Sequence, residues 1–424
     1  MLDILRIQEK YFMKFTLKKT NIQNRNVVIY LISDLLAKAL PFSFIPVLTK
    51  YLTPEQYGNI ALFNIGVEIF LIIIIMGGSS YYKIEYPKFK DPILSLYIII
   101  YNVTLLFLVF FILSIVIWFF YERIYIIDVL PLILLCAYFQ SLFYLYISYY
   151  QCNEKALVVG MVNLFFSLSS SLLMILFLVE FKQAESSRYW SLLGGLIASV
   201  LLLGSILANK SNRKYKLVNK IDFELIKFGV GVFPHAVSWW ARSGMERLLI
   251  GWFLSVSTLG IYSLAMQLTS IMPLFCNAIN QALMPRIVRC LNDNKIEETK
   301  KILVKSSLIV AIACVFSSVV MPLFLGYVLN DRYHEALEYL PYMILSFVFQ
   351  GVIIIYTNVL YFYKQVKYLS VATFGTSCVH LLLSMLLIKI NLNVYSVIIS
   401  SVITFLFASI VLVRKAYQIM SERY

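Results

Sequence analysis

Charge is the first scarcity in this chain. Asp, Glu, Lys and Arg supply only 14% of its 424 residues, against about 25% in ordinary globular proteins. Apolar residues supply 61%, and the mean hydropathy is +0.82. A water-soluble fold of this composition would expose large apolar patches and aggregate, so soluble enzymes, disordered proteins and nucleic-acid binders are excluded. Cysteine is scarce and unpaired. The six residues Cys136, Cys152, Cys276, Cys290, Cys314 and Cys378 form no C-x-x-C pair and lie mostly in apolar runs. They read as small core residues, not as a disulfide frame or a zinc site. Three scattered histidines give metal chemistry no support.

What remains is hydrophobic runs. A membrane-spanning helix needs about 20 mainly apolar residues. Twelve candidate spans are found, near 27–48, 58–78, 93–120, 129–149, 157–179, 189–208, 225–250, 259–284, 303–329, 336–360, 368–388 and 392–413. The expected fold is therefore an all-α integral membrane protein of about twelve transmembrane helices. The 1–26 tail carries Arg6, Lys10, Lys14, Lys18, Lys19 and Arg25 and has no cleavable apolar stretch. It reads as a basic cytoplasmic tail.

The net charge of +14 is an orientation signal. With the N-terminus inside, 26 of the 36 Lys and Arg fall in inside segments, 6 in outside turns, and Lys38, Lys227, Arg242 and Arg247 within spans. Positive residues concentrate on the cytoplasmic side of membrane proteins. Both termini are thus expected in the cytoplasm, in a multi-pass membrane protein.

The spans divide into two sixes, 27–208 and 225–413, joined by a basic cytoplasmic linker at 209–224 and followed by a tail at 414–424. At an offset of 202 residues, Leu52, Gly58 and Leu62 lie over Leu254, Gly260 and Leu264, and Thr53 over Ser255, a helix-capping type in both copies. Both copies fall in the first outside turn of their half. Six spans per half imply parallel repeats related by a pseudo-twofold axis along the membrane normal, around a central cavity.

Ionisable residues inside spans mark sites or structural pairs. The first span holds Asp34 and Lys38, the second Glu68, and the seventh His235, Arg242, Glu246 and Arg247. Tyr30, Asp34 and Lys38 share one helical face; so do His235, Trp239, Arg242 and Glu246 if the helix is regular. Lys38, Arg242 and Arg247 are candidate cavity cations for an anionic substrate, since a guanidinium fork matches phosphate oxygens. Asp34, Glu68 and Glu246 are candidate orienting or coupling acids. The bland alternative is that Asp34–Lys38 and Arg242–Glu246 only neutralise each other.

Further motifs carry a resemblance. They are Phe44–Pro46, Tyr51–Gly58 and Gly77–Ser80 in the first half, and Ser243–Arg247 with Ile250 and Gly251 in the second. Gly260–Ala265 and Ala278–Ala282 with Pro285 complete the set. This pattern resembles the polysaccharide biosynthesis proteins, the O-antigen repeat-unit flippases within the multidrug, oligosaccharidyl-lipid and polysaccharide exporter superfamily. The family often has Asp where this chain has Glu246. The resemblance implies a non-enzymatic flippase that turns undecaprenyl-pyrophosphate-linked oligosaccharide units from the inner to the outer leaflet by alternating access. It implies a lipid-linked oligosaccharide substrate, contact with membrane lipids, and polymerase and chain-length proteins of the same pathway as partners. It implies no cofactor and no nucleic acid, with a proton or sodium gradient as the energy source. The alternative is another exporter of the superfamily, for drugs or another lipid-linked precursor. The short outside turns speak against a catalytic role; the first of them holds Glu55 as its only acid.

Overall fold

In a computed structural model the chain is described at residues 29, 32–33, 35–120, 125–182, 184–210 and 220–422. Among these residues the structure is all helical, with no strand. Ten stretches are long and apolar enough to cross a membrane: 54–75, 92–120, 127–152, 156–179, 186–209, 256–292, 296–325, 331–362, 367–391 and 395–421. The first and seventh expected spans are not among them. The first begins outside the described residues, and 35–43 of it are helical. The seventh is helical, but its α-helix ends at Trp240, before Ala241–Met245, and Phe223–Trp240, with Glu224, Lys227, Pro234 and His235, is not apolar enough to count.

Helix ends differ from the sequence reading where local chemistry overrides hydropathy. The second span, expected at 58–78, runs from Pro54 to Ile75 after a short helix Ile45–Tyr51; these are α2 and α1. Thr53 and Gln56 start α2 as a reciprocal capping box. The Thr53 N–H donates to Gln56 Oε1 at 2.9 Å, and the Gln56 N–H donates to Thr53 Oγ1 at 3.3 Å. The helix stops at Ile75 because Met76 and Gly77 take positive φ of 45° and 67°, which leads into the short α3, Gly78–Glu85. The expected span 259–284 is two helices, α10 (Val256–Thr269) and α11 (Ile271–Asn292), broken at Ser270. Ser255 caps α10, its Oγ accepting from the Thr258 N–H at 3.0 Å. The aligned positions Thr53 and Ser255 therefore both begin helices.

Packing separates two compact units. The first holds the described residues up to Phe44 together with Gly66–Pro234. Its long helices are α4 (Pro92–Phe120), α5 (Tyr125–Cys152), α6 (Ala156–Val179) and α7 (Ser186–Lys210), with α4 on α5, α6 on α7 and α5 on α7. The Ser167 hydroxyl donates to the Ala37 carbonyl at 2.6 Å, which fixes the helix of Lys38 on α6. Asn102 of α4 donates to the Lys220 carbonyl and accepts from the Asp222 N–H, at 3.0 and 3.1 Å. That pair anchors the end of the basic linker. Asp222 then caps α8 (Phe223–Trp240) through the Glu224 and Leu225 N–H groups. Gly229 of α8 approaches the Met76–Gly77 turn so closely that a Cβ there would lie 2.6 Å from the Met76 carbonyl oxygen.

The second unit holds Ile45–Ile65 and His235–Tyr424. It contains α9 (Glu246–Phe253), α10, α11, α12 (Ile296–Leu325), α13 (Glu335–Phe362), α14 (Val366–Asn391) and α15 (Tyr395–Ser421). Helix α13 is its hub, packed on α11, α12 and α15. The approach of α11 and α12 to α13 depends on Gly351, where a Cβ would stand 2.6 Å from Val310 Cγ1 and 3.0 Å from Cys276 Sγ. Within this unit α2 meets α10. A Cβ at Gly58 would lie 1.9 Å from the Val256 carbonyl oxygen, and one at Gly260 would lie 1.8 Å from the Pro54 carbonyl oxygen.

Candidate functional site

The seventh expected span is not one regular helix. Between α8 and α9, residues Ala241–Met245 form a π-turn. Such turns insert one residue into a helix and occur frequently at functional sites. The insertion breaks the expected regular stripe of His235, Trp239, Arg242 and Glu246, since positions on either side of it lose α-helical register. The side chains of His235, Trp239 and Arg242 lie outside the described residues, and Asp34 lies outside them altogether, so neither expected ion pair can be placed. Lys38 is exposed and Glu68 half-buried in the first unit; Arg247 is half-buried in the second.

Glu246, the first residue after the π-turn, is buried, with 6% of its surface exposed. Its described partners are not basic residues of its own helix. The Tyr262 hydroxyl of α10 donates to Glu246 Oε1 at 2.6 Å. His380 of α14, wholly buried, places Nε2 3.8 Å from Glu246 Oε2. Sequence reasoning missed His380 by treating the histidines as scattered. A signal was available: His380 and Ser384 on one helix, and Ser400 and Thr404 on the next, are polar residues at i, i+4 spacing in apolar surroundings.

Behind His380, the Ser384 hydroxyl donates to Ser400 Oγ at 2.9 Å, and the Ser400 hydroxyl donates to the His380 carbonyl at 3.0 Å. His380 Nδ1 lies 3.1 Å from Ser400 Oγ and 3.5 Å from Thr404 Oγ1. Nε2 faces the Glu246 carboxylate and has no hydrogen-bond partner, and an unmet polar atom is costly in such surroundings.

A cavity of about 160 Å³ opens beside this pair, with Glu246, Tyr262, Met266, Phe347, Gln350 and Phe405 among its lining. Gln350 Oε1 is buried there without a hydrogen-bond partner. The chamber is mainly apolar, its polar groups being the acid, the phenol, this amide and the Ser346 and Ser401 side chains, and it lies wholly inside the second unit.

A family model described as polysaccharide biosynthesis protein matches residues 47–338, more than half of the chain. The chain belongs to that family. A protein of the Lsg locus of Haemophilus influenzae is 23% identical over 360 residues, covering 82% of this chain and 86% of its own. An uncharacterised membrane protein of the same organism is 25% identical over 365 residues, covering 83% and 87%. Among solved structures, an inward-facing multidrug-resistance MATE transporter of the MOP superfamily aligns with a TM-score of 0.71 at 11% identity. That alignment covers 91% of this chain and 95% of the transporter. The lipid II flippase MurJ aligns with a TM-score of 0.68 at 16% identity, covering 92% and 87%. At these identities the structural likeness establishes the fold. This polysaccharide biosynthesis protein is an all-α, multi-pass membrane protein with the fold of the MOP-superfamily transporters and flippases, as the motif resemblance implied.

Proposed function

We propose that the protein is a flippase for undecaprenyl-pyrophosphate-linked oligosaccharide units, of O-antigen or a similar surface polysaccharide. It carries them from the inner to the outer leaflet of the bacterial cytoplasmic membrane by alternating access. The supporting observation is the buried Glu246 on an interrupted membrane helix, beside Arg247 and the Arg242 position, in a chain of the polysaccharide biosynthesis family. An acid buried in a membrane protein has a high cost unless it is used. The proposed roles are attraction of the pyrophosphate by Lys38, Arg242 and Arg247, and energy coupling to a proton gradient through the facing pair Glu246 and His380. Asp34 and Glu68 orient the cations. No step requires a cofactor or bond chemistry on the sugar. Polymerase and chain-length proteins would receive the unit on the outer face.

Deletion of the gene tests the reading. Cells should accumulate the lipid-linked unit on the inner leaflet and lose the surface polymer, while normal polymer without a second flippase overturns it. Collapse of the proton gradient should stop transport and removal of sodium should not. The apolar cavity and the fold shared with a MATE transporter favour a second reading, export of amphiphilic drugs. That reading requires the deletion strain to become drug-sensitive with its polymer intact. For the cations, Arg242→Lys keeps the charge and loses the bidentate fork, so transport should fall at normal insertion. An Arg242→Ala/Glu246→Ala double variant that transports at the wild-type rate would refute the site.

A further inference from the structure

The two copies of the internal repeat meet each other. Gly58 of α2 sits against the carbonyl of Val256, and Gly260 of α10 sits against the carbonyl of Pro54 and, at 2.8 Å from its Cβ position, the Gly58 nitrogen. At the 202-residue offset, Gly58 corresponds to Gly260 and Pro54 to Val256. The contact is therefore reciprocal: each repeat presents a glycine to the first helical carbonyl of the other, as an axis of twofold symmetry requires. Apart from Val256 Cγ1, 2.8 Å from the Gly58 Cβ position, the closest atoms are backbone, and backbones held this close are joined by small-residue packing and Cα–H···O contacts.

Side chains complete the crossing below the glycines. Tyr57, buried, donates to Gln267 Oε1 at 2.5 Å. Its ring meets Tyr333 edge-on at 5.9 Å, and the Tyr333 hydroxyl donates to the Leu52 carbonyl at 3.1 Å. Ala61 lies one turn further along α2 and is buried, as are Leu259 and Tyr262 on α10. The positive-residue bias assigns this end to the outside.

We infer that the Gly58–Gly260 crossing is the outer seal of the transport path, a backbone clasp that must part for substrate to leave. This rests on the flippase reading for its purpose, but the seal itself is testable without transport. Glycine is required because a Cβ at 1.8–1.9 Å from a carbonyl oxygen cannot be accommodated unless the helices move apart by more than 1 Å. One methyl group on either partner should open the clasp, and the second should add little.

The test is labelling of Ala61→Cys by a membrane-impermeant maleimide added outside intact cells, with the chain lacking this cysteine as background. With the clasp intact, labelling should be slow. Gly58→Ala or Gly260→Ala should each raise the rate at least tenfold, and the pair together no more than either alone. Tyr57→Phe, which keeps the shape and loses the Gln267 hydrogen bond, should raise it about threefold and guards against a glycine variant that fails to accumulate. Gly351→Ala, at a helix contact elsewhere in the same unit where the Cβ would meet Val310 and Cys276 side chains, should leave it unchanged. An unchanged rate in the inserted Gly58→Ala and Tyr57→Phe chains overturns the inference. So does an equal rise in Gly351→Ala, which would mean general loosening, or labelling only from the cytoplasmic side. A deletion strain with normal polymer refutes the flippase reading and leaves the labelling result standing, so the two failures are separate.

Discussion

Replacing Glu246 in two ways separates a proton-carrying acid from a structural one. In Glu246→Gln the amide oxygen still accepts from Tyr262, and the amide N–H₂ supplies the donor that His380 Nε2 lacks. The two groups that face residue 246 are then both satisfied. The variant should insert normally and melt within a degree or two of the wild type, yet transport at less than a tenth of its rate, because an amide releases no proton. Glu246→Ala leaves the Tyr262 hydroxyl unpaired, while His380 Nε2 stays as it was, without a hydrogen bond. Orphaned buried polar groups cost about 1–3 kcal/mol each. The vacated space also enlarges the adjoining 160 Å³ cavity, at about 24 cal/mol per Å³. Hydrogen bonds measured inside membrane proteins average nearer ~0.6 kcal/mol, so the total should fall near the low end, about 2–3 kcal/mol. Thermal melts of the purified protein in detergent read the stability, and surface polymer in the deletion strain reads transport. Wild-type transport by Glu246→Gln would refute the proton role. An Ala variant as stable as wild type would refute the argument that Glu246 satisfies Tyr262.

Other expectations follow from the packing. Gly351→Ala should destabilise the second unit by about 1–3 kcal/mol, as overpacking does, and Val310→Ala in the same chain should restore most of the loss; melts of the single and double variants decide this. Asn102→Ala removes both bonds to the linker end, so limited proteolysis near 220–222 should speed up at least severalfold with the helices otherwise intact. Reporter fusions after residues 215 and 255 should give cytoplasmic and external signals respectively, and equal signals would break the twelve-span topology.

Hydropathy made the helices legible, because a bilayer admits few alternatives to long apolar helices. It failed where local backbone chemistry decides: the positive-φ turn at Met76–Gly77, the break at Ser270 and the π-turn at Ala241–Met245. Glu246 stood out because a carboxylate is rare in such a sequence. Its partners did not, since Tyr262 and His380 are 16 and 134 positions away, and no periodicity reports a contact between helices. The glycines of the repeat were visible as matching letters at a fixed offset. Why they match became clear only when each was found against the other copy's carbonyl.

Helix α2 belongs to both packing units, its residues to Ile65 counted with the second and those from Gly66 with the first; α8 up to Pro234 belongs to the first although it follows the linker. Each sequence half has thus lent an arm to its sibling, in the manner of a swapped dimer fused into one chain. A gene cut in the 209–224 linker would yield two fragments that each lack part of their own packing. The second would have no Pro54 carbonyl to cover Gly260 and no Tyr57 to pair with Gln267. Such fragments should need co-expression to accumulate. Neither half can then change at Gly58, Pro54, Tyr57 or Gly260 without a matching adjustment in the other.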